Sequence, residues 1–189
     1  MSFFDDEANV DQYLQMAEGY DGAALVEVLG RHLQPGASVL ELGMGPGKDL
    51  ALLSDAGFEP TGSDASEVFV RRYMDGGGAH PVLLLDAVTL DTDERFHAIY
   101  SNKVLQHLTR ADFRASLSRQ AELIPTGGVM LHSLWYGTAD EEHGGLRFTQ
   151  HDEASIRTSL PDSLELVAHE RYTEMDADDS IWVVLQKRP

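Results

Sequence analysis

The sequence predicts an α/β fold: a seven-stranded, mainly parallel sheet with helices on both faces, finished by a C-terminal antiparallel hairpin. Two observations lead to it. From residue 37 short apolar runs alternate with longer amphipathic segments, the pattern of repeated βα units. Beyond residue 160 two strand-like runs are joined by a connection too short for anything except an antiparallel return.

The parallel strands are expected at Ser38 to Leu42, Glu59 to Ser63, Val82 to Leu85, His97 to Ser101 and Gly128 to Ser133. A helix is expected after each except the third. Gly57 supplies a C-terminal stop for the first of these helices. Thr109 and Asp112 flank the start of another, in which Phe113, Leu117, Ala121 and Ile124 recur at helical spacing. Pro125-Thr126-Gly127-Gly128 ends it. Before residue 36, Tyr13, Leu14 and Met16, then Ala24, Leu25, Val28, Leu29 and Leu33, mark one or two helices capping one end of the sheet. Gly137 to Gly145 reads as a polar loop, His151 to Leu160 as a short helix, and Leu164 to Tyr172 with Ser180 to Gln186 as the closing strands. The expectation is one domain over residues 1–189, with a helical cap at 1–35 and an α/β core at 36–189.

Composition removes several function classes. There is no cysteine, so no disulfide, thiolate metal site or cysteine nucleophile. No histidine pair has ligand spacing on a predicted helix, and no metal is expected. A net charge of -18, with Lys48, Lys103 and Lys187 the only lysines, opposes a phosphate backbone and argues against nucleic acid. Arg110, Arg114 and Arg119 fall at helical spacing and read as a solvated face. No apolar run approaches the roughly 18 residues of a membrane span, and the first residues are acidic where a secretory signal is basic. A soluble, cytoplasmic protein is expected.

The chemistry-bearing segment is Ser38-Val39-Leu40-Glu41-Leu42-Gly43-Met44-Gly45-Pro46-Gly47-Lys48-Asp49, a strand running into a turn with three alternating glycines. Such a turn needs unusual backbone angles and lets main-chain amides approach a ligand. Dinucleotide enzymes and P-loop proteins use related turns. A P-loop would place Ser or Thr at 49, where Asp49 stands, and a dinucleotide fingerprint would place glycine at 48, where Lys48 stands. Gly62-Ser63-Asp64-Ala65-Ser66 ends the second strand with an acid that can accept both ribose hydroxyls, and Asp86-Ala87 ends the third.

These segments together resemble the class I S-adenosylmethionine-dependent methyltransferases that act on small molecules, with their Rossmann-like fold. Phe96 to Asn102 leading into Val104-Leu105-Gln106-His107-Leu108 resembles that family's fourth strand and turn, and Leu123 to Gly128 resembles the helix end before its fifth strand. The resemblance spans about residues 36 to 134. It implies S-adenosyl-L-methionine as cofactor, with Gly43, Met44, Gly45 and Gly47 against the methionine portion and Glu41 supporting the loop and the amino end. It places Asp64 and Ala65 at the ribose, Asp86 and Ala87 at the adenine, and Ser101 and Asn102 beneath the transferable methyl. Met44 departs from the smaller or polar residue usual there, and Thr126 departs from the usual turn.

Methyl transfer draws much of its catalysis from positioning, so no catalytic residue needs to announce itself. His107 is the candidate general base because it follows the fourth strand; His132, His143 and His151 are weaker. Tyr13, Tyr20, Trp135 and Tyr136 form an aromatic wall or pack in the core, packing being preferred for the first two. The acceptor is expected to be a small molecule. Two rivals remain: a noncatalytic module that binds the cofactor, favoured if Trp135 or the N-terminal helices fill the space above Ser101 and Asn102, and an NAD-dependent oxidoreductase.

Overall fold

The computed structural model describes residues 3–16, 19 and 21–189, without the side chains of Asp5 and Met16. In chain order it contains α1 (Glu7–Met16), α2 (Ala23–Gly30), β1 (Ser38–Leu42), α3 (Lys48–Asp55), β2 (Glu59–Asp64), α4 (Glu67–Asp75), β3 (Val82–Leu84) and β4 (Ala98–Asn102). There follow α5 (Arg110–Leu123), β5 (Val129–Trp135), β6 (Asp140–His143), β7 (Leu146–Thr149), α6 (Glu153–Ser159), β8 (Leu164–Tyr172) and β9 (Ser180–Lys187). Seven strands form one sheet in the order β3-β2-β1-β4-β5-β9-β8. Pairing is parallel from β3 to β5 and antiparallel for β5 with β9 and β9 with β8.

The central strands β1, β4, β5 and β9 are largely apolar on both faces because helices cover both. On one face Leu40, Leu42, Ile99, Met130 and Val183 pack under Phe113, Leu117 and Leu123 of α5 and Ile156 of α6. On the other, Val39, Ala98, Leu131 and Val184 pack under Leu25, Val26 and Leu29 of α2 and Leu53 of α3. The expected N-terminal cap is thus divided. α2 belongs to a helical layer of the sheet, whereas Val10 of α1 packs with Val68 and Phe69 of α4.

The helix start expected at Thr109 is a side-chain cap, and α4 has one that was not expected. Thr109 caps α5 by accepting from the Asp112 N–H at 3.1 Å, and Ser66 caps α4 by accepting from Phe69. Three features differ. The polar loop at 137–145 runs into a second, two-stranded sheet, in which β6 pairs antiparallel with β7 around Gly144 and Gly145. Both glycines have positive φ, at 59° and 83°, as a two-residue hairpin turn of the primed type requires. The arginines of α5 are not a free solvated face either. Arg119 donates to the carbonyls of Leu90 and Thr92 and pairs with Glu122, while Arg110 donates to Thr138 O, Gln150 O and Asp140, so they tether neighbouring loops to the helix. The third is Ser101, whose side chain points away from the site, for a reason set out below.

Candidate cofactor and acceptor site

β1 and β4 are neighbours in the sheet although two strands intervene in sequence, so their connections diverge to opposite sides and open a crevice at their C-terminal ends. A cavity of about 300 Å³ lies there. It falls at the lower end of ligand-site volumes. Its near wall is Glu41 with the turn Gly43, Met44, Gly45 and Pro46; Asn102, Lys103, Gln106 and His107 continue it from the end of β4. Trp135, Leu146, Phe148, Glu174 and Met175 close the far side, and Phe4, Tyr13 and Leu14 come from the N-terminal segment. Trp135 therefore lines the space above Asn102 and does not fill it.

Strand alternation decides which predicted residues arrive. Glu41 pairs in register with Tyr100, and both share the face covered by α3. Asp49 on α3 meets them there: its Oδ2 accepts from Tyr100 Oη at 2.7 Å and from Asn102 Nδ2 at 3.2 Å. Its Oδ1 accepts from the Gly22 N–H at 2.8 Å, which anchors the start of α2. Ser101, one residue along β4, turns to the α5 face, where it is fully buried and 2.8 Å from His132 Nδ1. That alternation takes it away from the cavity wall. His132 is equally buried, and burial pushes its pKa down to about 3.

The turn is shaped by what it must pass. Gly43 has φ 63°, and a Cβ there would stand 2.5 Å from a Val104 methyl. Met44, the residue that departs from the family pattern, is buried, and its sulfur fills the place a side chain at Gly62 would need. Gly47, with φ 80°, is the N-cap of α3 and lies behind the cavity wall.

Acid is concentrated at this end. Glu41 is 3% exposed, its Oε2 has no hydrogen-bond partner among the described residues, and burial, followed by Asp49 and Asp64, raises its pKa well above the carboxylate range. Asp64 sits behind the turn: Oδ2 accepts from the Gly45 N–H at 3.0 Å and Oδ1 from the Ser66 N–H at 2.9 Å. Burial raises its pKa, against the lowering effect of amides from Ser66, Gly45 and Ala65. Phe4 meets Phe69 at a tilt and Tyr13 meets it edge-on, and Ser66 Oγ donates to Phe4 O at 2.6 Å. Tyr13 therefore both packs and lines the cavity; Tyr20 lies outside the described residues. Asp86 and Ala87 stay off the wall. Asp86 accepts from the Val88 and Thr89 N–H groups, and Ala87 O accepts from Ser116 Oγ.

At the far end Lys103 adopts a left-handed φ of 57° that turns its side chain under Trp135, with Nζ 3.5 Å from the ring centroid. Nζ donates to Ser180 Oγ at 2.6 Å and Leu134 O at 3.2 Å, and pairs with Glu174 at 3.5 Å. Burial lowers its pKa to about 8, against the opposing effect of Glu174. The loop carrying Glu174 and Met175 is gathered by Asp179, whose carboxylate accepts from the N–H groups of Glu174, Met175 and Asp176. Despite some burial, those amides and Ser180 hold its pKa down to about 2. A depressed carboxylate stabilises above its unfolded pKa, about 3.9, and that contribution is lost as pH falls through about 2. Asp179→Asn is accordingly expected to raise hydrogen exchange at the Glu174, Met175 and Asp176 amides at neutral pH, with exchange in β5 unchanged.

Asp49, Lys103, Gln106, Phe148 and Glu174 were not singled out in the sequence. Lys103 had one available signal, its place directly after a strand beside the crevice, and Asp49 and Gln106 stood inside the quoted motifs; Glu174 had none. Of the remaining histidines, His151 is buried against Phe113 and His143 pairs with Glu141 on the exposed hairpin. Among the described residues no group of three or more such side chains could hold a metal ion, and no helix is long and apolar enough to cross a membrane.

A parallel sheet in this order, with a glycine turn and an acid cluster at the switch between β1 and β4, defines the Rossmann-like class of nucleotide-cofactor folds. Residues 13–171 match the family described as "Methyltransferase domain". The chain belongs to this family, the class I S-adenosylmethionine-dependent methyltransferases.

It is 31% identical over 121 residues to a malonyl-[acyl-carrier protein] O-methyltransferase of Salmonella typhimurium strain LT2. That match takes in 64% of this chain but only 46% of the relative, so the chain spans about half the length of the curated protein it resembles. Among solved structures, the Burkholderia thailandensis 1,6-didemethyltoxoflavin N1-methyltransferase, with 1,6-didemethyltoxoflavin and S-adenosylhomocysteine bound, superposes with a TM-score of 0.78. It is 17% identical, with 97% of this chain and 85% of that chain covered. Magnesium protoporphyrin IX methyltransferase from Synechocystis PCC 6803, with S-adenosylmethionine bound, gives a TM-score of 0.74 at 18% identity over 98% and 93% of the two chains.

Proposed function

We propose that this protein transfers a methyl group from S-adenosylmethionine to a small-molecule acceptor. The observation that carries the reading is Glu41, a buried carboxyl whose Oε2 lacks a hydrogen-bond partner beside a cavity at the β1/β4 crevice, with Asp49 and Asp64 close behind. A buried acceptor without a donor is costly. A ligand presenting an ammonium and a sulfonium supplies the donor and the opposite charge.

When bound, S-adenosylmethionine supplies an activated methyl on a positively charged sulfur. Glu41 receives its amino end, and Gly43, Met44 and Gly45 give it a close-fitting backbone wall. Asn102, held by Asp49 and by Ser133 Oγ at 2.7 Å, stands under the reacting centre. Asp64 and Ala65, with Asp86 and Ala87, lie off the cavity wall, so their assignment to the ribose and the adenine rests on the family resemblance, while Gly47 keeps α3 in place. A single domain over 1–189 is in keeping with α2 covering the sheet and α1 packing on α4. A small acceptor is supported by the cavity's size and by the toxoflavin enzyme, whose bound ligand is a small molecule.

Calorimetric titration with S-adenosylmethionine, S-adenosylhomocysteine and NAD tests this. Micromolar binding of both sulfur nucleotides and none of NAD is expected, weakened at least about tenfold, or 1.4 kcal/mol, in Glu41→Gln and in Asp64→Ala. Tighter binding of NAD, or no binding of the sulfur nucleotides, would overturn it.

A further inference from the structure

The two ends of the cavity differ chemically. The near end is acidic, through Glu41 and Asp49. At the far end the charges cancel, because the Lys103 ammonium is already held by Glu174, Ser180 and Leu134. The walls there are flat and apolar: Trp135, Leu146, Phe148 and Met175. Gln106 there uses its Oε1 to accept from the Trp135 N–H at 3.2 Å, and His107 is engaged on one side of its ring. His107 Nδ1 lies 2.8 Å from Arg147 O, contributed by the β6–β7 hairpin. A carbonyl can only accept, so Nδ1 carries the proton and Nε2 is left with a bare lone pair. Nε2 makes no hydrogen bond among the described residues. Phe148, also from the hairpin, meets the ring edge-on at a centroid distance of 4.9 Å. Burial lowers the pKa of His107 below its ordinary value, which keeps the ring neutral at pH 7 and Nε2 open to accept a hydrogen bond.

We propose that this far end is the acceptor subsite for a neutral, flat, largely apolar molecule bearing an O–H or N–H group, and that His107 Nε2 takes its proton. The inference rests on the methyltransferase reading and adds the acceptor class and the base. In the step, a lone pair on the acceptor oxygen or nitrogen forms the bond to the methyl carbon. The carbon–sulfur bond breaks with its electron pair going to sulfur, which becomes a neutral thioether. The acceptor proton passes to Nε2 and then to water. An anionic acceptor is disfavoured because Lys103, the cation lining this end, is already paired and the near end is acidic.

The test uses the whole chain, titrated first with S-adenosylhomocysteine and then, saturated with it, with 2-naphthol, 2-methoxynaphthalene and 2-naphthoate. Expected is 2-naphthol binding at least tenfold tighter than either of the other two. His107→Phe should abolish the preference of naphthol over methoxynaphthalene, Phe148→Ala should weaken both, and neither should change S-adenosylhomocysteine affinity. Nitrogen-15 imidazole spectra of the unliganded protein should show His107 protonated at Nδ1. Naphthoate binding as tight as naphthol, no naphthol binding, a preference that survives His107→Phe, or a proton on Nε2 would each overturn the proposal. Absence of S-adenosylhomocysteine binding in the first titration marks failure of the donor reading itself, and the inference falls with it.

Discussion

Replacing Asp49 with alanine is expected to lower the unfolding free energy by about 4 kcal/mol, as read from urea denaturation at pH 7. The carboxylate is 6% exposed and receives three donors from distant parts of the chain: Gly22 N–H, Tyr100 Oη–H and Asn102 Nδ2–H. Truncation strands the Gly22 amide and the hydroxyl of Tyr100, which is fully buried. Each stranded buried donor costs about 1–3 kcal/mol. Asn102 adds less, since it is only half-buried. Asp49→Asn retains an acceptor oxygen and should cost about half as much. Adding Tyr100→Phe to Asp49→Ala should recover about 1 kcal/mol, because removing both partners of a buried hydrogen bond is cheaper than removing one. A loss in Asp49→Ala below about 1 kcal/mol would show that this junction does not hold α2 and α3 to the sheet.

Gly43→Ala is the second substitution with a large expected effect, about 3 kcal/mol. A non-glycine residue at φ 63° costs about 1–2 kcal/mol by itself. The added methyl would also stand 2.5 Å and 2.8 Å from the two methyls of Val104, an overlap of the size that costs about 1–3 kcal/mol in packed sites. The two contributions can be separated. Val104→Ala in the same chain removes the overlap and leaves the backbone strain, so the double variant should be more stable than Gly43→Ala by about 1–2 kcal/mol. Because Gly43 walls the cavity, S-adenosylhomocysteine affinity should fall at least about tenfold in the single variant and recover only in part in the double one. Full recovery would assign the glycine to packing against Val104 alone.

Much of the architecture was legible from local chemistry. β1 and β8 fall on the residues that alternation and apolar runs mark, and the remaining sheet strands differ from expectation only by a residue or two at their ends. The cap at Thr109 is a side-chain contact three residues long, which a sequence displays directly, and Ser66 caps α4 in the same way without having been marked. The β6–β7 hairpin escaped because Asp140-Glu141-Glu142-His143 is wholly exposed and has no apolar alternation to report its pairing. Gly144-Gly145 followed by Leu146 and Phe148 was the available sign. At the site, Glu41, Gly43, Met44, Gly45 and Asn102 line the cavity, whereas Gly47, Asp64, Ala65, Asp86, Ala87 and Ser101 do not. Parity along β4 guarantees that Ser101 and Asn102 face opposite ways. Which of them meets the cavity depends on which helical layer lies on which face.

The sequence by itself determined the βα alternation, the antiparallel finish, the glycine turn after β1 and the acid at the end of β2, because each rests on neighbours a few residues apart. It also placed the chain in its family through motifs in a fixed order. Tertiary structure decided the rest. Asp49 becomes the junction of α2, α3 and β4 through bonds to residues 27, 51 and 53 positions away. His107 acquires a defined tautomer from a carbonyl 40 positions on. Lys103 is neutralised by a loop beyond residue 172. Burial, partner and protonation state belong to whatever the folded chain brings alongside a side chain, and over such separations neither periodicity nor spacing records it.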